Sequence, residues 1–354
     1  MALSTVSTAN RVKQWDSEFF AEYVRQNRFS RYMGTDENAI IQIKENLTKQ
    51  KGDTINIPLV AKLTGAGVTG NGLLEGNEEA LANHNFPIVV DTLRHAVAIT
   101  DHEEQMTEID MRGASKAMLK SWAMEKLRTD IITGLGQIYD AGTGNFVTYG
   151  SASAAQKNAW NANNSDRVLF GTLRSNYNST HATALATVAA AQKLSAPVVS
   201  LMKRIAKTAT PIIRPYMVED EEEWYVMFAN SLAFRDLKEN LTTLHRDAME
   251  RGKSNPLFRD GDLVYDGVIV REIPEMGVLN GVGNAGANVS PVYLCGAQAL
   301  GVAWAKRTKS TTDTRDYGFV HGVGIAEMRG VRKCVFNNKD HGVVTGFVAT
   351  AADA

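Results

Sequence analysis

The sequence predicts an α+β fold, and three observations carry that prediction. Segments of strand-like and helix-like periodicity are interspersed along the chain, and the longest helical pattern follows a pair of extended runs that enclose a glycine-rich tip. No period in the range of 20 to 50 residues recurs, which excludes solenoids and propellers. With 354 residues, 44% hydrophobic and 22% charged, the chain is long enough for two or three packed subdomains around real cores.

Residues 11 to 50 mix charge with aromatics, and Trp15, Phe19 and Tyr23 recur at helical spacing, as in an arm that must pack on something. Gly52 and Asp53 break the pattern, and from Thr54 to Leu63 Ile55, Ile57 and Leu59 alternate with Asn56, Pro58 and Val60 as in an exposed strand. Five glycines between Gly65 and Gly76 make a mobile tip, and a second extended run occupies Phe86 to Thr100. Such a loop cannot hide its own apolar groups, so a neighbouring subunit is its natural partner.

The strongest helical pattern comes next, with Asp101 as cap and Ile109, Gly113, Ala117, Met124, Leu127, Ile131, Leu135 and Ile138 on one face. Ala114, Met118 and Trp122 widen that stripe, and Arg112, Lys116, Lys120, Lys126 and Arg128 supply a basic opposite side, read as a solvated face. From Asp140 to Thr180 the chain is rich in Gly, Asn, Ser and Thr and reads as an ordered but irregular insertion. Thr183 to Lys193 is alanine-rich and helical, and Ser195 with Pro197 opens a further helix that Pro211 ends. Ile212 to Val218 and Trp224 to Phe228 read as strands joined by the acidic turn Glu219 to Glu223. Leu232 to Glu250 reads as helix, Val268 to Val270 as a buried strand, 308 to 316 as a loop, and Val331 to Phe336 and Val343 to Ala349 as strands.

Reactive constellations are missing from this pattern. Gly281-Val-Gly283-Asn-Ala-Gly286 matches a dinucleotide fingerprint as a string, but Ala287-Asn-Val-Ser-Pro291 opens no helix to receive a pyrophosphate. Gly252-Lys253-Ser254 lacks the earlier glycine of a phosphate loop, since Asp247 stands there. The seven histidines have no close ligand spacing, and Ser115 lies mid-helix where nothing activates its hydroxyl. Cys295 and Cys334 form neither a CxxC pair nor a disulfide framework, which fits a cytosolic folding compartment. No metal, cofactor or catalytic residue is therefore expected. Lys and Arg number 38 against 39 Asp and Glu, so no global basic field draws nucleic acid to the subunit, and any DNA contact is local. Neither a signal peptide nor a run of roughly 18 apolar residues is present, and no membrane partner is expected.

The order of arm, glycine-tipped hairpin, long helix and mixed domain resembles the tailed-bacteriophage major capsid proteins with the Hong Kong 97-type fold. Asn255-Pro-Leu-Phe leading to Gly267-Val-Ile-Val270 is similar to one subfamily of them, as are Val292 to Trp304, Asp316-Tyr-Gly318 and Gly330-Val-Arg-Lys-Cys-Val-Phe336. The resemblance implies an N-terminal arm at 1–51, an extended β-hairpin loop at 52–100, a peripheral-domain spine helix at 101–138 and an insertion at 139–180. It places most of an axial domain at 181–330 and closing C-terminal strands at 331–354. It implies a coat protein, not an enzyme, that self-assembles as hexamers and pentamers into an icosahedral shell around double-stranded DNA. Its partners would be other copies of itself, the packaged DNA without sequence preference, a portal protein, and separate scaffolding or decoration proteins. Its location would be the virion, with assembly in the host cytoplasm. Leu63, Leu73, Leu74 and Phe86 are the expected subunit contacts. The rival readings are another virion protein of tail or decoration type, which the long helix disfavours, and an enzyme in which His321 or Asp313, Asp316 and Glu327 form a site from one C-terminal region.

Overall fold

A computed structural model describes residues 27–45, 52–219, 222–241, 258–259 and 262–353. In chain order, β1 (Met33–Gly34) and β2 (Ile41–Lys44) precede β3 (Thr54–Val60), β4 (Asn83–Val89) and β5 (Asp91–Thr100). Helices α1 (Asp101–Met106) and α2 (Met111–Leu135) follow, then β6 (Ile138–Asp140), β7 (Asn145–Val147), α3 (Ala154–Asn163), β8 (Val168–Phe170), α4 (His181–Ala186) and α5 (Ala196–Thr208). Next come β9 (Met217–Glu219), β10 (Glu222–Ala229), α6 (Ser231–Asn240), β11 (Phe258–Arg259), β12 (Asp262–Tyr265) and β13 (Val268–Glu272). The last block holds β14 (Val289–Cys295), β15 (Leu300–Arg315), β16 (Val320–Lys333), β17 (Val335–Phe336), β18 (Lys339–Asp340) and β19 (Val343–Ala349). The described residues divide into a larger unit, drawn from 28–91, 128–305 and 329–353, and a smaller one, drawn from residue 27, 92–127 and 306–328.

The larger unit is organised by a sheet in the order β11-β12-β13-β10-β14-β19-β8, with β9 paired to β10. All seven residues of β19 are buried, as expected of an inner strand covered on both faces. One face carries α5 and α6. Val198, Val199, Met202 and Ile205 of α5 and Phe234 and Leu237 of α6 pack there against Tyr225, Met227, Val292, Leu294, Val344 and Val348. Both helices start where their sequences dictate: Pro197 sits in the first turn of α5, and the Asn230 side chain accepts the Ala233 N–H to cap α6. The alternate residues of the sheet face the other way, where Phe228 meets the edges of Phe29 and Tyr32, and Phe170 stacks on Phe347 at 5.2 Å.

In the smaller unit, the parts of β15, β16 and β5 that belong to it follow one another in that order, and α2 covers one face. Leu119, Val323 and Ile325 are buried there, with Val97, Trp122 and Ala123 packed around them.

Several expectations are corrected. The helix read from Asp101 is two helices, because Thr107 is extended and the chain restarts at Asp110, whose carboxylate accepts the Gly113 N–H at 2.9 Å. Thr100 caps α1, accepting from Glu103, so Asp101 is its first helical residue and not its cap. The inward face of α2 runs through Ser115 and Leu119, while Gly113, Ala117 and Met124 are exposed. Apolar residues occur nearly all round this helix, so their spacing alone could not choose the face. Nor is the segment 139–180 irregular: it contains α3, opened by a Ser153–Gln156 capping box, and β8, which pairs in parallel with β19. The Thr-rich 308–316 segment is strand for nearly its whole length and not a loop, as its β-branched content favours. The alanine-rich helix is short, ending at Ala186. The arm aromatics up to Tyr23, the Gly252-Lys253-Ser254 string, Asn255-Pro-Leu257 and the helix beyond Leu241 lie outside the described residues.

Candidate assembly surfaces

Strands β3 and β4 pair antiparallel from Thr54↔Val89 to Val60↔Asn83, which fixes the base of a hairpin whose loop occupies 61–82. The base is anchored inside the larger unit: Ile55, Phe86 and Ile88 are buried with Ala303, Cys334, Val335 and Phe336. Two glycines permit this approach. A Cβ on Gly330 would overlap the Val89 carbonyl, and one on Gly301 would overlap the Ile88 side chain.

Beyond the base, residues 62–83 are all exposed. Polar bonds nevertheless hold parts of the loop. Glu79 accepts the backbone N–H of Thr64 at 2.7 Å and of Gly65 at 2.6 Å, and the Thr64 hydroxyl at 3.0 Å. These bonds, Thr64 first, hold the Glu79 carboxyl below its ordinary pKa. Farther out, the Asn77 backbone and side chain donate to the Leu74 and Leu73 carbonyls, which folds 73–77 into a turn. Of the expected contact residues, Leu63 is 54% exposed, Leu73 78% and Leu74 63%. Leu81, not among the expected contacts, is 62% exposed. Phe86 is placed differently: 2% exposed, its ring meets the edges of Phe146 and Phe336, so it serves the chain's own core. In a strand of period two its parity with buried Ile88 was the available signal.

A buried polar cluster ties the C-terminal hairpin β17–β18 to α3. Lys333 donates to Asp340 at 2.7 Å, both side chains being almost fully buried, and the Trp160 indole donates to the same carboxylate at 3.1 Å. Arg167 donates to the Asp340 carbonyl, to Asp166 and to the Thr210 carbonyl. Burial pushes the Asp166 carboxyl up, but the bonds from Arg167 and the Thr210 N–H and the charges of Arg167 and Lys339 outweigh it and hold it at about 2. His181, enclosed by Trp160, Phe170 and Phe347, meets the Tyr149 hydroxyl at 2.8 Å, and burial followed by the Lys157 charge pushes it down to about 4.

His321 is paired with Asp101 at 2.7 Å, Asp313 with Arg315 at 2.7 Å, and buried Glu327 accepts from Thr308 at 2.6 Å, so the rival site is spread over separate partners. Ser115 donates to the Met111 carbonyl of its own helix. Burial pushes the Cys334 thiol up to about 12 and raises that of Cys295 further, away from the thiolate that reactivity needs. The glycine string at 281–286 closes on itself, Gly283 donating to Ala287, with no helix after it. Among the described residues, no group of three or more His, Cys, Asp or Glu could hold a metal ion, and no helix is long and apolar enough to cross a membrane.

The described residues thus give a core-anchored hairpin whose loop bears uncovered leucines. In comparison with known proteins, the family model described as phage capsid protein matches residues 4–353. The chain belongs to the phage capsid protein family. This capsid protein is 29% identical to the major capsid protein of Pseudomonas phage KPP25 over 371 aligned positions, covering 95% of this chain and 94% of that one. Its fold matches the cyanophage Pam1 capsid asymmetric unit with a TM-score of 0.92 and 42% identity, over 100% of both chains. The capsid of Ralstonia phage GP4 matches over 100% of both chains with a TM-score of 0.77 at 21% identity, a likeness of fold. The role of the capsid protein is structural, as a component of a phage shell.

Proposed function

We propose that the chain is the major capsid protein of its virion, assembling as hexamers and pentamers, in the Hong Kong 97-type arrangement, into an icosahedral shell around packaged double-stranded DNA. The observation that carries this reading is the loop at 61–82, where Leu63, Leu73, Leu74 and Leu81 stand exposed on a backbone that Glu79 and Asn77 bond at two points. Exposed leucines on a loop that its own core leaves uncovered mark an interface, and in a closed assembly of one chain the surface that covers them belongs to another copy. The layout that follows has an arm at 1–51, an extended loop at 52–100, a spine at 101–138, an insertion at 139–180, an axial domain over most of 181–330 and closing strands at 331–354. A portal protein and separate scaffolding or decoration proteins are its further partners, DNA contact is non-specific, and assembly takes place in the host cytoplasm before the chain resides in the virion.

The test is substitution of the loop leucines, Leu63→Asp and the pair Leu73→Asp with Leu74→Asp, followed by electron microscopy and circular dichroism. The reading expects folded, soluble subunit and no shells. Normal shells from these variants would overturn it.

A further inference from the structure

Two places in the chain set asparagine directly before glycine, Asn71-Gly72 and Asn280-Gly281. Glycine has no side chain to shield its backbone nitrogen, and that nitrogen can reach the carboxamide carbon of the preceding asparagine to close a five-membered ring. Both asparagines are exposed, so access to water does not separate them. The state of the two nitrogens does. The Gly281 N–H donates to the Asn288 side-chain oxygen at 3.0 Å, and on the other side of Asn280 the backbone of Leu279 is bonded to Val289 at 2.8 and 2.9 Å. Gly70 and Asn71 form a turn, but among the described residues neither the Gly72 N–H nor the Asn71 carboxamide makes a hydrogen bond of ordinary geometry. The bonds that hold the loop end at Gly65 on one side and begin again at Leu73 on the other.

We propose that Asn71 is a site of spontaneous deamidation, with the chain's own Gly72 nitrogen as nucleophile and water as the second reactant, and that the bond from Asn288 withholds the same reaction from Asn280. The Gly72 nitrogen gives up its proton to the solvent and attacks the Asn71 carboxamide carbon. The bond from that carbon to the side-chain nitrogen breaks, and the nitrogen leaves as ammonia with a proton from water. Water then adds to either carbonyl of the cyclic imide and opens it to an aspartyl or an isoaspartyl residue, so one amide and one water become one carboxylate and one ammonium ion. At Asn280 the same attack requires the Gly281 N–H to leave its acceptor first, which adds the loss of a hydrogen bond to the barrier. The chemistry does not depend on the shell reading, but its product changes the loop on which that reading rests. It sets a carboxylate beside exposed Leu73 and Leu74, where Glu75, Glu78 and Glu79 already outnumber Lys62.

The test ages the full chain, as unassembled folded subunit, in mildly alkaline buffer made with heavy-oxygen water, beside a sample unfolded in urea. Peptide mapping by mass spectrometry follows the labelled aspartyl and isoaspartyl products at both sites. In the folded chain, position 71 should convert about tenfold faster than position 280 or more, the factor that one lost hydrogen bond gives, and in the unfolded chain the two rates should come together. Asn71→Gln should remove the product at 71. Asn288→Ala should speed conversion at 280, whereas Asn288→Asp, which keeps an acceptor for the Gly281 N–H, should leave it slow. Absence of labelled product at 71 in the folded chain would overturn the site. The same ratio of rates in folded and unfolded samples, or continued protection of 280 in Asn288→Ala, would overturn the role given to the fold and to Asn288.

Discussion

The carboxylate of Glu79 accepts the N–H of Gly65 at 2.6 Å across a loop that has almost no side-chain burial of its own. An acidic residue on one limb of the hairpin thus fixes the glycine-rich limb opposite it, and Thr64 adds two more bonds to the same carboxylate. Glycine lowers the steric cost of the path, and Glu79 selects one path among those that glycine permits.

Replacing that clamp should therefore loosen the loop without unfolding the subunit. Glu79→Ala is expected to speed amide exchange at 61–82 while leaving the melting temperature of the subunit unchanged, as hydrogen–deuterium exchange with mass spectrometry would read. Unaltered exchange in the loop would refute the clamp.

The two glycines under the hairpin base should differ in cost. Gly330→Ala sets a methyl against the Val89 carbonyl, which is backbone and cannot step aside, whereas Gly301→Ala meets the far end of the Ile88 side chain. Urea unfolding should show Gly330→Ala destabilised by about 2 kcal/mol or more and Gly301→Ala by less, within the usual range for overpacking. Equal effects would contradict the account of the base.

The buried pair of Lys333 and Asp340 should behave as a unit. Lys333→Met leaves an uncompensated carboxylate in the interior and should cost about 3–5 kcal/mol, and adding Asp340→Leu should restore part of that loss. A double-mutant cycle by chemical denaturation checks the coupling, and strictly additive losses would argue against it.

Acid stability follows from His181 and His341, both held at about 4 by burial first and by a nearby cation second, Lys157 and Arg167 respectively. Each is neutral when folded and takes up a proton when unfolded near pH 6.5, so stability is full above about 6.5 and declines as the pH falls towards 4. For His181, 2% exposed, the loss can reach roughly 3 kcal/mol. Melting curves from pH 7 to 4 should show the decline, and His181→Gln, which keeps a polar group beside Tyr149, should flatten it. A wild-type subunit equally stable at pH 7 and 4 would refute the assignment.

Much of this was legible in the sequence because local chemistry decided it. The strand pair on either side of the glycine tip, the Pro197 helix start and the exposed leucines all follow from patterns within a few residues. The parts that were not legible depend on distant neighbours. Phe86 is buried because Phe146 and Phe336 come to it, and the outward Met124 is indistinguishable by spacing from the inward Leu119. The α3 start was readable in Ser153-Ala-Ala-Gln156, but the polar composition around it hid the helix.

The central claim is that this chain is completed by copies of itself. Sedimentation velocity with negative-stain microscopy, on the chain expressed alone and together with its neighbouring phage genes, tests it most directly. The account predicts closed or polymorphic shells, or rings of five and six subunits. A stable monomer or a small symmetric dimer under every condition would contradict it.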